Sequence, residues 1–238
     1  KVKALDRRQN TALMRVTPHG AQGPDGPWIC NKARDLSRIW DRARACDPLI
    51  KGKAVSIDAA LARARALLDA ARNPVALVSN WGSNEELAAF RDALGGRCTV
   101  FIKHDHQPLP GEVVQDDFLI RGDKNPNTAG ARAVFGPGAD QPATFAPGTD
   151  LVLVWGEGCS FADLPRGVPV ISLQSYLAPE NGFADVFIPI SHQPERSGTY
   201  TSEDGTLRTF TRCVPKAPAV QDAASVFHAL AAVPVAAP

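Results

Sequence analysis

The stretch NPVALVSNWGSNEELAAFRDALGGRCTVFIKHD, residues 73–105, carries the pattern that decides the fold. It begins with the apolar run VALVSN, which is typical of a strand buried in a parallel sheet. Ser83 and Glu86 then form the S-x-x-E pattern of a capping box, which predicts a helix that ends at Gly95 and Gly96. The run CTVFI predicts a second strand. The stretch therefore predicts a β–α–β unit with parallel strands.

Further apolar runs toward the carboxyl end extend this unit into a larger sheet. DLVLVWGEG, VPVISLQS and ADVFIPI each have the composition of a buried strand. Together they predict an α/β fold with a doubly wound, mostly parallel sheet. The expected strands are Val75–Ser79, Thr99–Ile102, Leu151–Trp155, Val168–Leu173 and Val186–Ile190.

Other segments predict elements around this sheet. The runs VKALD and TALMRVT, joined by RRQN, predict an N-terminal β-hairpin. Ser56 is a candidate N-cap for an alanine-rich helix, and the alternating segment GTYTSEDGTLRTFTR predicts a hairpin around Glu203–Gly205. The region from 107 to 150 has no regular pattern and is expected to be irregular. We predict two parts, a hairpin and covering segment at 1–50 and a shortened α/β domain at 51–238.

The composition excludes several classes of function. The 238-residue chain has 26 basic and 25 acidic residues and a net charge of +1, which argues against partners chosen by bulk charge, such as nucleic acid. No run of about 18 apolar residues occurs, so no membrane span is expected. The five cysteines, at 30, 46, 98, 159 and 213, are scattered and odd in number, which indicates a reducing compartment.

Single motifs leave alternatives open. In GPWICNKARD, Cys30 could ligate a metal or cluster, or it could be a small buried apolar residue beside Trp28 and Ile29. In KHDHQP, His104 and His106 have a spacing that suits a metal but also a polar loop.

Two glycine turns at strand ends have the composition of phosphate-binding loops. WGSNEE contains Trp81 and Gly82, and WGEGCS contains Gly156 and Gly158. Such turns could hold a phosphate through backbone N–H groups. Glu157, between the two glycines of the second turn, would repel a phosphate, and Cys159 after it is expected to be a core residue.

Several segments together resemble the molybdopterin oxidoreductase family. GPWICNKARD resembles its C-x-K-G turn, and SNWGSNEELAAFRDALG resembles its Gly-Ser-Asn-Glu-Glu helix. ADVFIPI followed by ERSGTYTSEDGTLRTF is similar to the family's ADV and E-x-x-G-T segments. DDFLIRGDKNPNT looks most like one branch, the large iron–sulfur subunit of respiratory complex I (the bacterial NADH-quinone oxidoreductase) and related diaphorase subunits. The resemblance covers nearly the whole chain.

The resemblance implies roles for particular residues. Cys30 matches the fourth ligand of a [4Fe–4S] cluster, whose other three cysteines would either precede Lys1 or be replaced altogether. Lys32 matches the lysine between cluster and pterin. Ala33 stands where the motif has glycine. Asn80, Trp81, Gly82, Gly156 and Gly158 match vestigial pterin loops. Set against active members, the resemblance implies a shortened domain without their terminal β-barrel, so no molybdopterin is expected.

The function that the resemblance implies is a non-catalytic scaffold domain of an iron–sulfur electron-transfer subunit. Its partners would be the flavin and iron–sulfur subunits of a multi-subunit NADH:acceptor oxidoreductase. The chain would lie in the cytoplasm, on a peripheral arm at the inner membrane. Two alternatives remain: an active molybdopterin-dependent domain such as that of formate dehydrogenase, and a metal-free subunit of a formyl-transferring complex.

Overall fold

The computed structural model describes residues 16–17, 29, 31–34, 36, 42–104, 110–117, 121–217 and 219–231. The chain divides into two units, Lys1–Arg44 and Ala45–Pro238. In the first unit one short helix is described, α1 (Asn31–Arg34). The hairpin predicted for residues 2–17 lies outside the described residues except for Val16 and Thr17, which are not in a strand.

A seven-stranded sheet forms the centre of the second unit. Five strands are parallel, in the order β4-β3-β5-β6-β7, which confirms the predicted α/β fold with a mostly parallel sheet. Strand β1 pairs antiparallel with β7, and β2 pairs antiparallel with β1 at the edge. The strands are β1 (Leu49–Ile50), β2 (Lys53–Ala54), β3 (Pro74–Ser79), β4 (Thr99–Lys103), β5 (Leu151–Trp155), β6 (Val170–Gln174) and β7 (Val186–Pro189).

Two apolar clusters pack on opposite faces of this sheet, because neighbouring residues of a strand point to opposite sides. On β3, Ala76 and Val78 belong to the larger cluster, and Val75 and Leu77 to the smaller one. Four helices supply the larger cluster: α2 (Ile57–Ala70), α3 (Asn84–Leu94), α4 (Thr128–Phe135) and α5 (Ala223–Leu230). Loop segments with short 3₁₀ turns supply the smaller one.

The predicted caps of α2 and α3 are confirmed. Ser56 caps α2 by accepting a hydrogen bond from the Ala59 N–H at 3.2 Å. Ser83 and Glu86 form the full capping box of α3, and Gly95 ends that helix in the left-handed region at φ 55°. A capping box satisfies two N–H groups that would otherwise lack partners, which fixes the first residue of the helix.

The hairpin predicted around Glu203–Gly205 is also confirmed, as β8 (Gly198–Thr201) and β9 (Leu207–Phe210). The prediction that residues 107–150 are irregular was wrong for α4. That helix is only eight residues long and contains Gly130, which lowers its helix propensity. Tertiary packing selects the glycine, since a Cβ there would lie 2.2 Å from Asn84 Oδ1 and 2.3 Å from Asn127 Oδ1.

No helix among the described residues is long and apolar enough to cross a membrane.

Candidate functional site

The point where the sheet reverses direction lies between β3 and β5. From β3 the chain first adds β4 on one side, and it then returns to add β5 on the other side. In sheets of this kind, ligands bind at the carboxyl ends of the strands beside such a reversal. Asn80, Trp81 and Gly82 follow β3 there, and Gly156 and Gly158 follow β5. The structure therefore brings the two predicted glycine loops to the same edge.

The two loops pack closely against the ends of each other's strands. A Cβ added to Gly82 would lie 2.4 Å from Cη2 of Trp155, the last residue of β5. A Cβ added to Gly156 would lie 2.7 Å from both Cβ and Oγ of Ser79, the last residue of β3. The Trp155 ring is held in turn by Phe90 and Phe227, with ring centroids 5.2 and 4.7 Å away. Each glycine is thus needed for a close contact inside the protein.

Both glycine amides already have backbone partners. The Gly82 N–H donates to the Ser79 carbonyl at 3.3 Å, and the Gly156 N–H donates to the Leu173 carbonyl at 2.8 Å. A phosphate-binding loop requires N–H groups that point at the ligand. The amides of Gly82 and Gly156, two of the three glycines that the sequence offered for this role, are therefore engaged within the fold.

Glu157 has a structural role in the second loop. Its carboxylate accepts a hydrogen bond from the Ser175 N–H at 2.6 Å, and its carbonyl accepts one from the Lys103 ammonium group. These bonds join the ends of β4, β5 and β6. The carboxylate that would repel a phosphate therefore fixes the geometry of the loop.

The hairpin β8–β9 docks on the N-terminal end of α3 through a buried ion pair. Arg196 Nη1 lies 2.5 Å from Glu86 Oε2, and the two side chains are 9% and 8% exposed. Burial opposes the charge on Arg196, but the Glu86 carboxylate outweighs this and raises the arginine pKa. Arg196 also donates to the Trp81 carbonyl at 3.3 Å. The ion pair therefore links the Trp81 loop and the capping box of α3 to the segment that leads into strand β8.

Tyr200 and Glu85 extend this contact along the hairpin. The Tyr200 hydroxyl donates to the Trp81 carbonyl at 3.1 Å, and burial raises the pKa of Tyr200 to about 12 against the influence of Arg196. Glu85 accepts hydrogen bonds from the Thr199 N–H at 3.0 Å and the Thr199 hydroxyl at 2.7 Å. Burial acts to raise the pKa of Glu85, but these bonds outweigh it and the pKa is lowered.

Asn127 connects a third segment to the same place. Its Nδ2 donates to the Gly82 carbonyl at 2.8 Å and to Asn84 Oδ1 at 3.1 Å, while its Oδ1 accepts the Thr201 N–H at 2.7 Å. Two residues earlier, Asn125 Oδ1 accepts a hydrogen bond from Trp81 Nε1 at 3.0 Å. Sequence reasoning named the Asn-Pro-Asn segment only as part of a resemblance and gave it no role in the site.

Asn80 is buried at the same edge. Its Nδ2 donates to the Thr128 hydroxyl at 2.9 Å, and its backbone carbonyl accepts the Asn127 N–H at 3.1 Å. Its Oδ1 has no hydrogen-bond partner among the residues that the structure describes. Asn80 therefore fixes the start of α4 against β3, and it is not directed at an open surface.

A cleft of about 570 Å³ opens beside the second loop. Its apolar wall includes Leu77 and Phe101, and Lys103, Arg132 and Asp140 lie on its polar side. Gly158, Cys159 and His104 also line it, which gives Gly158 the exposed position that Gly82 lacks.

The polar side of this cleft is organised around Asp140. His104 Nε2 lies 2.5 Å from Asp140 Oδ1, and the Arg132 guanidinium pairs with the other carboxylate oxygen. Burial acts to raise the pKa of Asp140, but the hydrogen bonds from His104 and Arg132 outweigh it and the pKa is lowered. No sequence signal connected these residues, which come from three separate segments. His106 lies outside the described residues.

A second buried polar chain joins the ends of β6 and β7. The Tyr176 hydroxyl is 2.8 Å from His192 Nδ1, and His192 Nε2 is 3.5 Å from Glu195 Oε1. Glu195 also accepts the His192 N–H at 3.0 Å. Glu195 begins the ERSGTY segment, so this chain of contacts fixes where that segment leaves the sheet.

The structure does not describe the side chains of the two residues predicted to lie at an iron–sulfur cluster, Cys30 and Lys32. Cys30 lies outside the described residues, and Lys32 is described only as a backbone position in α1. Within the described ranges there is no group of three His, Cys, Asp or Glu residues that could hold a metal ion.

No protein-family model matches the chain, and no curated protein matches it either. The geometry by itself defines an α/β domain in which the loops after β3 and β5 pack against the ends of each other's strands, and the hairpin β8–β9 contacts the first of these loops.

Proposed function

We propose that this chain is a non-catalytic scaffold domain of an iron–sulfur electron-transfer subunit in a multi-subunit NADH:acceptor oxidoreductase of the complex I type. Its partners are the flavin and iron–sulfur subunits of that complex. The assembly lies in the cytoplasm, on a peripheral arm at the inner membrane. The chain holds its neighbours in position, and electron transfer takes place on groups outside the described residues.

One observation carries the proposal. Three of the segments behind the resemblance, 79–95, 116–128 and 195–210, are far apart in sequence, but residues of all three meet at one place in the structure. Arg196 pairs with Glu86, and Asn127 contacts both Asn84 and Thr201. A chance likeness in three separate segments gives no reason for them to interact. Their convergence supports a shared structural unit, and hence the resemblance.

The contacts within the loops support a scaffold over an active pterin enzyme. The Gly82 and Gly156 amides both donate to backbone carbonyls, and the Trp155 ring fills the space beside Gly82. A tightly fastened edge of this kind suits a rigid support. A [4Fe–4S] cluster would be held by Cys30 together with cysteines that precede Lys1, and it would supply one-electron transfer.

The test is to purify the native assembly through a tag on the full chain. We expect a flavin-containing subunit and NADH:ferricyanide reductase activity to copurify, with iron but without stoichiometric molybdenum or tungsten. Molybdenum or tungsten at one atom per chain would overturn the scaffold proposal in favour of an active enzyme. An assembly with no flavin subunit and no NADH oxidation, but with formyl-transfer activity, would favour the formyl-transferring complex.

A further inference from the structure

A buried triad of polar side chains lies between the end of β6 and the hairpin β8–β9. Its members, Tyr176, His192 and Glu195, are 6%, 8% and 5% exposed. The Tyr176 hydroxyl is 2.8 Å from His192 Nδ1, and the two rings meet edge to face with centroids 5.6 Å apart. On the far side of the imidazole, Nε2 is 3.5 Å from Glu195 Oε1. The Tyr176 triad therefore joins a phenol, a base and a carboxylate away from bulk water.

The surroundings of His192 determine which ring nitrogen carries the proton. An ionised carboxylate only accepts hydrogen bonds, so Glu195 favours the tautomer with its proton on Nε2. Nδ1 is then an acceptor, and the Tyr176 hydroxyl donates to it. Burial disfavours an imidazolium, and the distance of 3.5 Å to Glu195 is longer than the roughly 2.7–2.9 Å of a charge-assisted hydrogen bond. The geometry therefore fits a neutral His192 that can take up a proton.

Hydrogen bonds to the backbone hold the triad in place. Asn181, which is buried, donates from Nδ2 to the Tyr176 carbonyl at 2.9 Å. The His192 N–H donates to Glu195 Oε2 at 3.0 Å, so the carboxylate fixes the backbone of the residue whose ring it faces. A proton can therefore pass between phenol and imidazole without a rearrangement of the fold.

The charges around the triad favour an electron transfer in which the proton stays inside. An electron can tunnel out of a buried site, but a proton needs an acceptor within hydrogen-bond reach. Loss of one electron from the triad changes its charge from one negative charge to none, so no unpaired charge is created in the interior. Arg196 also acts electrostatically on Tyr176, but its charge is balanced by Glu86 at 2.5 Å.

We propose that Tyr176 is a redox-active tyrosine that gives its proton to His192 as it is oxidised. The phenol loses one electron to a strong one-electron oxidant such as the carbonate radical, which becomes carbonate. The O–H bond breaks and the proton moves to Nδ1, which leaves a neutral tyrosyl radical beside an imidazolium that Glu195 stabilises. A one-electron donor such as ascorbate returns the electron, and the proton moves back. This activity belongs to the domain itself and does not depend on the proposed function.

Tyr200, the other of the two tyrosines in the chain, is a natural comparison. Its hydroxyl donates to the Trp81 carbonyl at 3.1 Å and accepts a hydrogen bond from Gln193 Nε2 at 3.0 Å. Burial raises its pKa to about 12. Neither of these amide groups holds a proton at neutral pH, so oxidised Tyr200 would have to release its proton to solvent. A positioned base contributes about 10²–10⁴-fold to a proton transfer, and Tyr176 is therefore expected to be oxidised first.

The test oxidises the purified full chain with photogenerated tris(bipyridine)ruthenium(III) and follows radicals by EPR and transient absorption. We expect a tyrosyl radical that Tyr176→Phe removes and that Tyr200→Phe, the matched control, retains. Ring-deuterated tyrosine should narrow the EPR signal, which distinguishes it from a tryptophan radical. In the wild-type chain the oxidation rate should not depend on the concentration of phosphate buffer, because His192 accepts the proton.

His192→Gln separates proton uptake from hydrogen bonding. The glutamine carbonyl can accept a hydrogen bond from the Tyr176 hydroxyl but cannot hold its proton, so the radical should form about a hundredfold more slowly. Its formation should then accelerate as phosphate is added. The unfolding midpoint shows whether this variant folds, and the buffer dependence of the wild-type chain decides the question if it does not.

Several results would overturn the proposal. These are a radical on Tyr200 or on tryptophan alone, no tyrosyl radical in the wild-type chain, and a wild-type rate in folded His192→Gln. An oxidation rate of the wild-type chain that rises with phosphate overturns it as well, since Tyr176 would then lose its proton to solvent.

Discussion

Replacing Arg196 by methionine tests whether the buried ion pair holds the hairpin on α3. The change keeps most of the side-chain volume but leaves the Glu86 carboxylate buried without its cation. Removing one partner of a buried pair costs about 3–5 kcal/mol. In this variant Glu86 still accepts a hydrogen bond from the Ser83 N–H at 2.9 Å, and it still lies in the first turn of a helix, where negative charge is favoured. We therefore expect the lower end, about 3 kcal/mol.

The assay is urea unfolding of the purified full chain, followed by tryptophan fluorescence, for Arg196→Met, Glu86→Gln and the double variant. Glu86→Gln leaves the guanidinium buried and should cost about 2–3 kcal/mol. The double variant has no unpaired charge and should cost about 1–2 kcal/mol, less than either single change.

A matched control lies on the same helix. Arg91 pairs with Asp92 at 2.8 Å, but both side chains are more than half exposed, so Arg91→Met should cost no more than about 0.5 kcal/mol. A cost below about 1 kcal/mol for Arg196→Met, or a double variant whose cost equals the sum of the singles, would refute the reasoning.

Three further outcomes are expected. Gly82→Ala should destabilise the fold by about 1–3 kcal/mol, because its Cβ overlaps the Trp155 ring, and Trp155→Leu should recover part of that loss in urea unfolding. Because docking lowers the pKa of Glu85, the ionised carboxylate stabilises the docked hairpin at pH values above the ordinary glutamate pKa. Hydrogen exchange during an acid titration should show that the hairpin amides lose protection as the pH falls through the lowered pKa. Glu85→Gln should remove this pH dependence. Burial raises the pKa of Cys98 to about 11, so at pH 8 about one Cys98 thiol in a thousand is ionised. Mass spectrometry should therefore find the exposed Cys213 alkylated by iodoacetamide well before Cys98. Equal alkylation rates would contradict the burial of Cys98.

Local signals predicted the central elements of the fold. The capping box and the glycine pair specified both ends of α3, and buried apolar runs specified the five parallel strands, because each signal lies within one element. Strands β1 and β2 have two residues each, which is too short for an alternating pattern of apolar and polar residues to be recognised. Helix α4 was missed because it has only eight residues and contains Gly130, which lowers its helix propensity and is required by the close approach of Asn84 and Asn127.

The candidate site was harder to predict because its key contacts join distant segments. The sequence marked Gly82 and Gly156 as special, and they are, but the physical reason is a ring and a serine packed against them. Nothing local indicated that Arg196 would pair with Glu86, 110 positions away, or that His104 and Arg132 would share Asp140. Pairings of this kind are properties of the fold and become visible only when the segments are placed in space.

A glycine in such a loop can be required either by a bound phosphate or by close packing within the protein. A glycine needed only to let a phosphate approach can be replaced once the ligand is lost. Gly82 and Gly156 are different, because a Cβ at either position would overlap Trp155 or Ser79, and Gly156 has a φ of 86° as well. Packing alone is therefore a sufficient reason for glycine at both positions, whether or not a nucleotide is bound. What separates a scaffold from a nucleotide site is the use of the amides: those of Gly82 and Gly156 donate to carbonyls at 3.3 and 2.8 Å, so a ligand would have to break these bonds before it could be held.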